Sequence, residues 1–305
     1  MLLAHETTNP TSPARREKGE IQMGTGKRIV QITGMIVGLA LLASCGGVSG
    51  GDFTINTHTG EWPWFWPDKA EFIADGDFSD SVPVASHSRI RLDVVNGEVV
   101  ITGQPGAASV SVTAELQVGS NASQLDAETG LNQLAVLVAE GSDEIFVQTV
   151  QPKNVVGRQF VVNYNITVPS DLAVDVTQVN GHVTVLNIES SLFVEVGNGN
   201  VYLSDIFGGA TVSVENGSVD GTVTLPPGGE VMISTGIGDI SLRIPTSTSA
   251  DLSALAGFGA INWDNLDLLN AVHTNRSLTG TLGDGTGLID LDTRNGNIYV
   301  SGFDG

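Results

Sequence analysis

The chain has 305 residues, of which 38 are glycine and only 15% are charged. That excludes a coiled coil or helical bundle, both of which need Glu, Lys, Arg and Ala at helical spacing; with 41% hydrophobic residues it favours many short β-strands joined by tight turns. The 34 acidic residues outnumber 13 basic ones for a net charge of −21, which argues against nucleic-acid binding, because phosphate neutralisation needs clustered Lys and Arg.

Residues 1–22 are polar and precede a second methionine, Met23. Lys18-Gly19-Glu20 must be encoded by a purine run resembling a ribosome-binding site, so this segment reads as a mis-called start. Residues 23–44 have the order of an export signal: Lys27-Arg28, an apolar run, then the small residues Ala43-Ser44. The run is shorter than the roughly 20 residues of a membrane-spanning helix. Leu42-Ala43-Ser44-Cys45 resembles the bacterial lipoprotein box, which makes Cys45 the lipidation site and the first residue of a mature, membrane-anchored chain. As the only cysteine it excludes an intramolecular disulfide. Gly46 stands where Asp tends to mark inner-membrane retention in Gram-negative lipoproteins, so the outer membrane or cell surface is the expected address. Without residues 1–44 the chain keeps eight basic against 31 acidic residues, a net charge of −23.

Residues 45–86 read as a tether. Gly46-Gly47-Val48-Ser49-Gly50-Gly51 is flexible by composition. Glu61-Trp62-Pro63-Trp64-Phe65-Trp66-Pro67 is extended, since two prolines exclude a helix interior. Its aromatics suit a lid on the folded domain, a belt at the bilayer interface or a ligand-binding strip.

Residues 87–302 form a β-repeat domain in which β-branched alternation runs into a glycine turn and resumes. The turns are Asn96-Gly97, Asn180-Gly181, Asn198-Gly199, Asn216-Gly217, then Gly238, Gly259 and Asn295-Gly296. From Gly181 the turn glycines are spaced by 18, 18, 21, 21 and 37 residues. Such regularity is the signature of a β-solenoid, in which each coil buries its apolar face only against its neighbours. Asn-Gly between alternating strands is also the strongest short hairpin signal, so an antiparallel sandwich or meander is the structural rival. Ile237 and Phe258 replace the asparagine in two copies, where an apolar side chain is expected to cover a neighbouring coil. Residues 121–168 interrupt the repeat with a short helical turn, Ser123 as its N-cap, and strands near Leu134–Val138, Ile145–Val150 and Phe160–Val168.

Alternation assigns faces. Val99/Ile101, Val183/Val185, Val201/Leu203, Ile240/Leu242, Ile261/Trp263 and Ile298/Val300 point inward as core. Val100, Thr184, Tyr202, Asp220, Ser241, Asn262 and Tyr299 point outward, with a single carboxylate among them. Before the turn, Asp175 and Glu195 are expected to align, followed by Ser213, as a solvated face. His5, His58, His87, His182 and His273 lack metal spacing and a nucleophile partner, and His182 is expected to be merely exposed. Gly283-Asp284-Gly285-Thr286-Gly287 with Asp290 is only a partial match to calcium loops. No Lys-Ser or Lys-Thr pair follows a Gly-x-Gly turn, so none is a phosphate cradle. Neither a catalytic residue, a metal ligand nor a cofactor is therefore assigned.

The blocks Tyr164-Asn165-Ile166-Thr167-Val168-Pro169, Val179-Asn180-Gly181-His182-Val183, Gly280-Thr281-Leu282-Gly283-Asp284-Gly285 and Thr293-Arg294-Asn295-Gly296-Asn297-Ile298 resemble the bacterial family of predicted adhesins among domains of unknown function, DUF4097. The resemblance spans residues 87 to 302. It implies an exported or membrane-tethered β-repeat domain without established catalytic residues.

The function expected is adhesion or binding at the cell envelope, to a protein or glycan, by a lipid-anchored, non-catalytic domain. A polysaccharide-active β-helix enzyme is the alternative, and three or more charged side chains converging in one groove would favour it. A structural or envelope-stress interaction module is the third. Phe303-Asp304-Gly305 follow a strand with no evident cap, so the C-terminal coil is expected to leave an open edge suited to self-association.

Overall fold

The computed structural model describes residues 70–84, 87–153 and 156–304 in full, and only the backbone of 27–29 and 55–56. Cys45, the start and signal boundaries, and the Trp62–Trp66 segment lie outside the described residues.

Alternation in sequence becomes alternation in burial. Val183 and Val185 are fully buried while Thr184 between them faces outward, the period-2 pattern of a half-buried strand. The chain opens with short strands β1 (Lys27–Ile29) and β2 (Ile55–Asn56), then β3 (Phe72–Pro83), β4 (Arg89–Asn96), β5 (Val99–Gln104) and β6 (Ser109–Ser120). Helix α1 (Gln124–Leu131) and strands β7 (Ala135–Glu140), β8 (Glu144–Val150) and β9 (Arg158–Pro169) occupy the segment that interrupts the repeat. Regular pairs follow: β10 (Ala173–Asn180) with β11 (Val183–Ile188), β12 (Leu192–Asn198) with β13 (Val201–Ile206), β14 (Ala210–Asn216) with β15 (Val219–Val223), and β16 (Glu230–Ile237) with β17 (Ile240–Pro245). The chain ends with β18 (Ala250–Phe258), β19 (Ile261–Asp264), a hairpin of β20 (Leu268–Thr274) and β21 (Ser277–Leu282), and β22 (Gly287–Asn295) with β23 (Ile298–Phe303).

These strands form two large mixed sheets with one shared core. The first runs β1-β7-β8-β4-β10-β12-β14-β16-β22-β18-β21-β20, the second β19-β23-β17-β15-β13-β11-β5-β9-β6-β3-β2. Their central strands are parallel and in register, Val174 beside Leu192 and Val183 beside Val201, for example. Antiparallel strands lie at both ends of the first sheet and at one end of the second, whose other edge is the parallel strand β19. Each Asn-Gly turn carries the chain from one sheet to the other, because β4 and β5, like every later pair, lie in different sheets. The turns are therefore arcs between layers rather than hairpins. The longer 21-residue spacing between Gly217 and Gly238 is absorbed in the far loop. Residues 224–229 connect β15 to β16, whereas only 189–191 connect β11 to β12, so the strands keep their register.

Stack order departs from chain order at the end. β22 lies between β16 and β18, and β23 between β17 and β19. The open edge expected at the C-terminal coil is thus not there, since both of its strands are paired on both sides. The 37-residue spacing holds the β20–β21 hairpin, which pairs with β18, rather than a further coil. The inward set is buried as expected except Trp263, which is only partly covered beside His273, with ring centroids 4.9 Å apart.

Turn glycines are required by contact as well as by dihedral angle. Gly199 has φ +147°, and a Cβ there would stand 1.8 Å from the Gly181 carbonyl oxygen. The same approach recurs at Gly181, Gly217, Gly238, Gly296 and Gly259, each against the carbonyl oxygen of the turn glycine stacked before it. Gly97, Gly181, Gly199, Gly217, Gly238 and Gly296 also donate their N–H to a neighbouring coil, Gly181 to Asn198 O at 2.8 Å and Gly199 to Asn216 O at 2.9 Å.

At the other end, Ser123 caps α1 by accepting from the Asp126 N–H. Ala127 and Leu131 are buried in the core. Arg158 of β9 clasps the helix through Asp126, with Nη2 to Oδ1 at 2.6 Å and Nε to Oδ2 at 3.0 Å, and Ser120 donates to the same carboxylate at 2.7 Å. These donors hold the Asp126 carboxyl down at about 2, from an ordinary value of 3.8.

Ala at Gly199 is expected to cost about 3 kcal/mol or more, because backbone must shift and the dihedral is unfavourable. Ala at Gly106, where φ is +71° but nothing lies within 4 Å, is expected to cost about 1 kcal/mol. Urea unfolding measures both, and equal losses would show that turn stacking does not limit stability. A depressed Asp126 contributes stability that is complete above pH 3.8 and lost as pH falls towards about 2. Asp126→Asn should therefore flatten the acid limb of a stability-versus-pH curve in that window, and an unchanged limb would refute the clasp.

Candidate functional site: the outer groove of the first sheet

Because strands are parallel and in register, a residue at fixed offset from the turn glycine repeats as a column, about 4.8 Å per coil. Four residues before each turn glycine, on the outer face of the first sheet, the column reads Asp93, Thr177, Glu195, Ser213, Ser234, Asp292 and Leu255. Two residues nearer the turn, the neighbouring outward positions include Gly197, Glu215, Gly236 and Arg294. Together these form an open groove of about 580 Å³. Its hollow comes from the two glycines. A Cβ at Gly236 would meet the Glu215 carbonyl oxygen at 2.4 Å, and one at Gly197 the Val179 carbonyl oxygen at 2.7 Å, so close backbone packing keeps both positions bare.

The groove thus presents hydroxyls from Thr177, Ser213 and Ser234, carboxylates from Glu195, Glu215 and Asp292, and the Arg294 guanidinium. Such a lining hydrogen-bonds hydroxylated or cationic chains and repels anionic ones. Among the described residues no group of three His, Cys, Asp or Glu side chains is close enough to hold a metal ion.

The turn ridge beside the groove is held by two side-chain ladders. In the first, Asn180 Nδ2 donates to Asn96 Oδ1 at 2.8 Å, Asn198 to Asn180 at 2.9 Å, and Asn216 to Asn198 at 3.1 Å. Asn96 anchors it on the Phe160 carbonyl at 3.0 Å. The second uses the residue after each glycine. His182 Nδ1 accepts the Asn200 N–H, Asn200 Oδ1 that of Ser218, Ser218 Oγ that of Asp239, Asp239 Oδ1 that of Asn297, and Asn297 Oδ1 that of Ala260. Every member accepts in the same stacking direction, and the ladder follows spatial order, passing from Asp239 to Asn297 before Ala260. Under the ridge, buried Gln178, Thr235 and Thr293 donate to the Gly97 and Gly238 carbonyls.

The structure brings the candidate turn residues Asn96, Gly97, Asn180, Gly181, Asn198, Gly199, Asn216, Gly217, Gly238, Gly259, Asn295 and Gly296 together in one ridge. His182 is a working acceptor rather than a merely exposed side chain. Ile237 and Phe258, expected to cover neighbours, stay 55% and 66% exposed, and Phe258 instead carries the Arg276 guanidinium 5.6 Å from its ring centre. Asp175 does not align with Glu195. It sits beside Arg91 and Phe193 and pairs with Arg89 at 3.2 Å, because coil offset places Thr177, not Asp175, eighteen residues before Glu195. The calcium-like loop is also self-satisfied. Ser249 donates to Asp284, lowering its carboxyl, while Asp290 lies in a different row, between Met232 and Ser253. Sequence reasoning missed the groove, although counting back four residues from each turn glycine reveals its column.

On the second sheet the outward row runs Val100, Thr184, Tyr202, Asp220, Ser241, Tyr299 and Asn262. Tyr164, from the first block of the family resemblance, is buried, and its hydroxyl meets that of Thr149 at 2.8 Å; burial pushes this phenol above its usual range.

No family model and no curated protein matches the chain. Among solved structures, a protein provisionally named for cell adhesion from Clostridium sporogenes is 14% identical, with 74% of this chain and 99% of that chain covered and a TM-score of 0.44. A provisionally named adhesin from Bacteroides fragilis is 11% identical over 73% of this chain and 96% of its own, with a TM-score of 0.31. A provisionally named lipid-binding protein from Parabacteroides distasonis is 9% identical over 74% and 96%, with a TM-score of 0.22.

Proposed function

We propose that this chain is an exported, lipid-anchored β-solenoid of the cell envelope, attached through Cys45 and facing the outer membrane or cell surface, whose β-repeat domain binds an extended polymer without cleaving it. The observation that carries this reading is the groove of the first sheet, where hydroxyl and carboxylate side chains recur at strand spacing over Thr177, Glu195, Ser213, Ser234 and Asp292. Repeated weak contacts along a rigid ladder suit an extended partner, since each occupied coil raises the effective concentration for the next. A neutral hydroxyl-rich glycan meets these groups without charge repulsion. With 34 acidic residues in the chain, an anionic lipid or glycan would need divalent cations between it and the protein.

A second reading, cleavage of a polysaccharide, is favoured by one feature: Glu195, Glu215, Asp292 and Arg294 line the same groove. Geometry weighs against the two carboxylates that share a column. Glu195 and Asp292 are separated by three strand steps, roughly 14 Å, beyond the roughly 5–9.5 Å used by paired glycosidase carboxylates.

Ser213→Arg together with Ser234→Arg places two long cationic side chains in the groove, from an exposed and a half-buried outward position. Retention of the domain on isolated envelope polysaccharide should fall by about tenfold or more, some 1.4 kcal/mol, with the melting temperature unchanged. Undiminished retention would remove the groove from consideration, and release of reducing ends by the wild type but not by Glu195→Gln would replace binding with cleavage. The anchor has its own test. Cys45→Ser should move the protein from the membrane fraction to the soluble one, and a variant still membrane-bound would disprove lipidation as the attachment.

A further inference from the structure

We infer that Asn295 is a site of spontaneous deamidation in the folded protein, the one Asn-Gly turn of five that the stack leaves open to the reaction. The five pairs are Asn96-Gly97, Asn180-Gly181, Asn198-Gly199, Asn216-Gly217 and Asn295-Gly296. In such a pair the glycine backbone nitrogen attacks the asparagine side-chain carbonyl carbon. The bond to Nδ2 breaks, ammonia leaves carrying the proton shed by the glycine nitrogen, and a five-membered succinimide closes. Water then opens the ring at either carbonyl, giving aspartate or isoaspartate. Water is the only co-reactant. Glycine favours the attack because it has no Cβ to crowd its nitrogen.

The reaction needs an amide free to swing onto the glycine nitrogen, and a nitrogen released from its own hydrogen bond. Four of the turns deny the first condition. The amides of Asn96, Asn180, Asn198 and Asn216 are tied to Phe160 O, Asn96, Asn180 and Asn198 at 3.0, 2.8, 2.9 and 3.1 Å. Asn295 holds the equivalent position, but its stacked neighbours are Ile237 on one side and Phe258 on the other. Neither can bond an amide. Asn295 is exposed, and its side chain has no hydrogen-bond partner among the described residues.

The second condition is also weakest at this turn. The Gly296 N–H donates to Phe258 O at 2.8 Å, an atom of the last coil in the stack. The other strand of that coil, β19, is the edge strand of the second sheet. β18 is flanked on its far side only over Ala250–Leu255, so the turn after it belongs to the less covered end of the stack, and such ends open first. Opening there frees the Gly296 nitrogen without disturbing the four laddered turns. The product would carry a new carboxylate on the ridge, and in its isoaspartate form one extra backbone carbon in a turn already packed against Gly238 and Gly259.

The purified protein, aged in mildly alkaline buffer, is sampled over time by peptide mapping with mass spectrometry. Each asparagine's rate is divided by its own rate in the chain unfolded by urea, which removes the influence of local sequence. The expected result is a normalised rate at Asn295 several-fold above each of the other four; a rate at Asn295 equal to or below theirs overturns the inference. Ile237→Asn supplies the missing amide neighbour at an exposed position, so it should slow Asn295 several-fold in the folded protein while leaving its unfolded rate unchanged. If Asn295 ages in that variant as fast as in the wild type, freedom of the amide is not the cause and the inference fails.

Discussion

The contact on which everything else depends is the approach of one turn glycine to the carbonyl oxygen of the next. A Cβ there would stand 1.7–1.9 Å from that oxygen at Gly181, Gly199, Gly217, Gly238, Gly259 and Gly296, so the spacing of the coils at the turn is set by backbone alone. Once the turns stack at that distance, the strands on both sides are brought into hydrogen-bonding range, and the register of both sheets follows. The ladder after the glycines then pairs N–H groups of the stacked turns, and the Asn ladder ties neighbouring turns together side chain to side chain. Outward columns, including the groove, are consequences of that register rather than separate features.

What was legible in the sequence and what was not divides along the same line. Alternation is a local signal, so the strands, the inward residues such as Val183/Val185 and Ile240/Leu242, and the helix capped by Ser123 were all readable from neighbouring residues. The turns were readable because Gly and Asn carry their backbone preference in their own chemistry. The two-sheet arrangement was only half readable, because Asn-Gly serves a hairpin and an arc between sheets equally well. Long-range order was not readable. Nothing in the spacing of 37 residues between Gly259 and Gly296 says that β22 enters between β16 and β18, since insertion is decided by which edges remain open once the earlier coils have formed.

The missed groove shows a different limit. Its column is strictly periodic, but its members are Thr, Glu, Ser, Ser and Asp, and only two of the five are charged. A search for clustered carboxylates passes over it. Its shape comes from Gly197 and Gly236, whose lack of side chain has a structural cause in the close approach of the neighbouring strand. The same packing that holds the sheet together thus makes the hollow on its surface, and hydroxyl and carboxylate groups line that hollow next to the stacked turns.

The inserted last coil also constrains how the domain can assemble. β12 to β15 each lie between the strands of the preceding and the following coil, so these coils can add one to the next with short loop closure. β18 and β19 have no such partner. Their neighbours toward the stack are β22 and β23, which are made last. Until those strands arrive, the β18–β19 coil can dock only on β16 and β17, a position the finished protein gives to β22 and β23. Either that docking is reversed or the coil waits, with its apolar face uncovered. The β20–β21 hairpin pairs with the opposite edge of β18, which leaves the edge facing the stack to β22. Completion of the stack therefore waits on β22 and β23, each of which is paired on both sides.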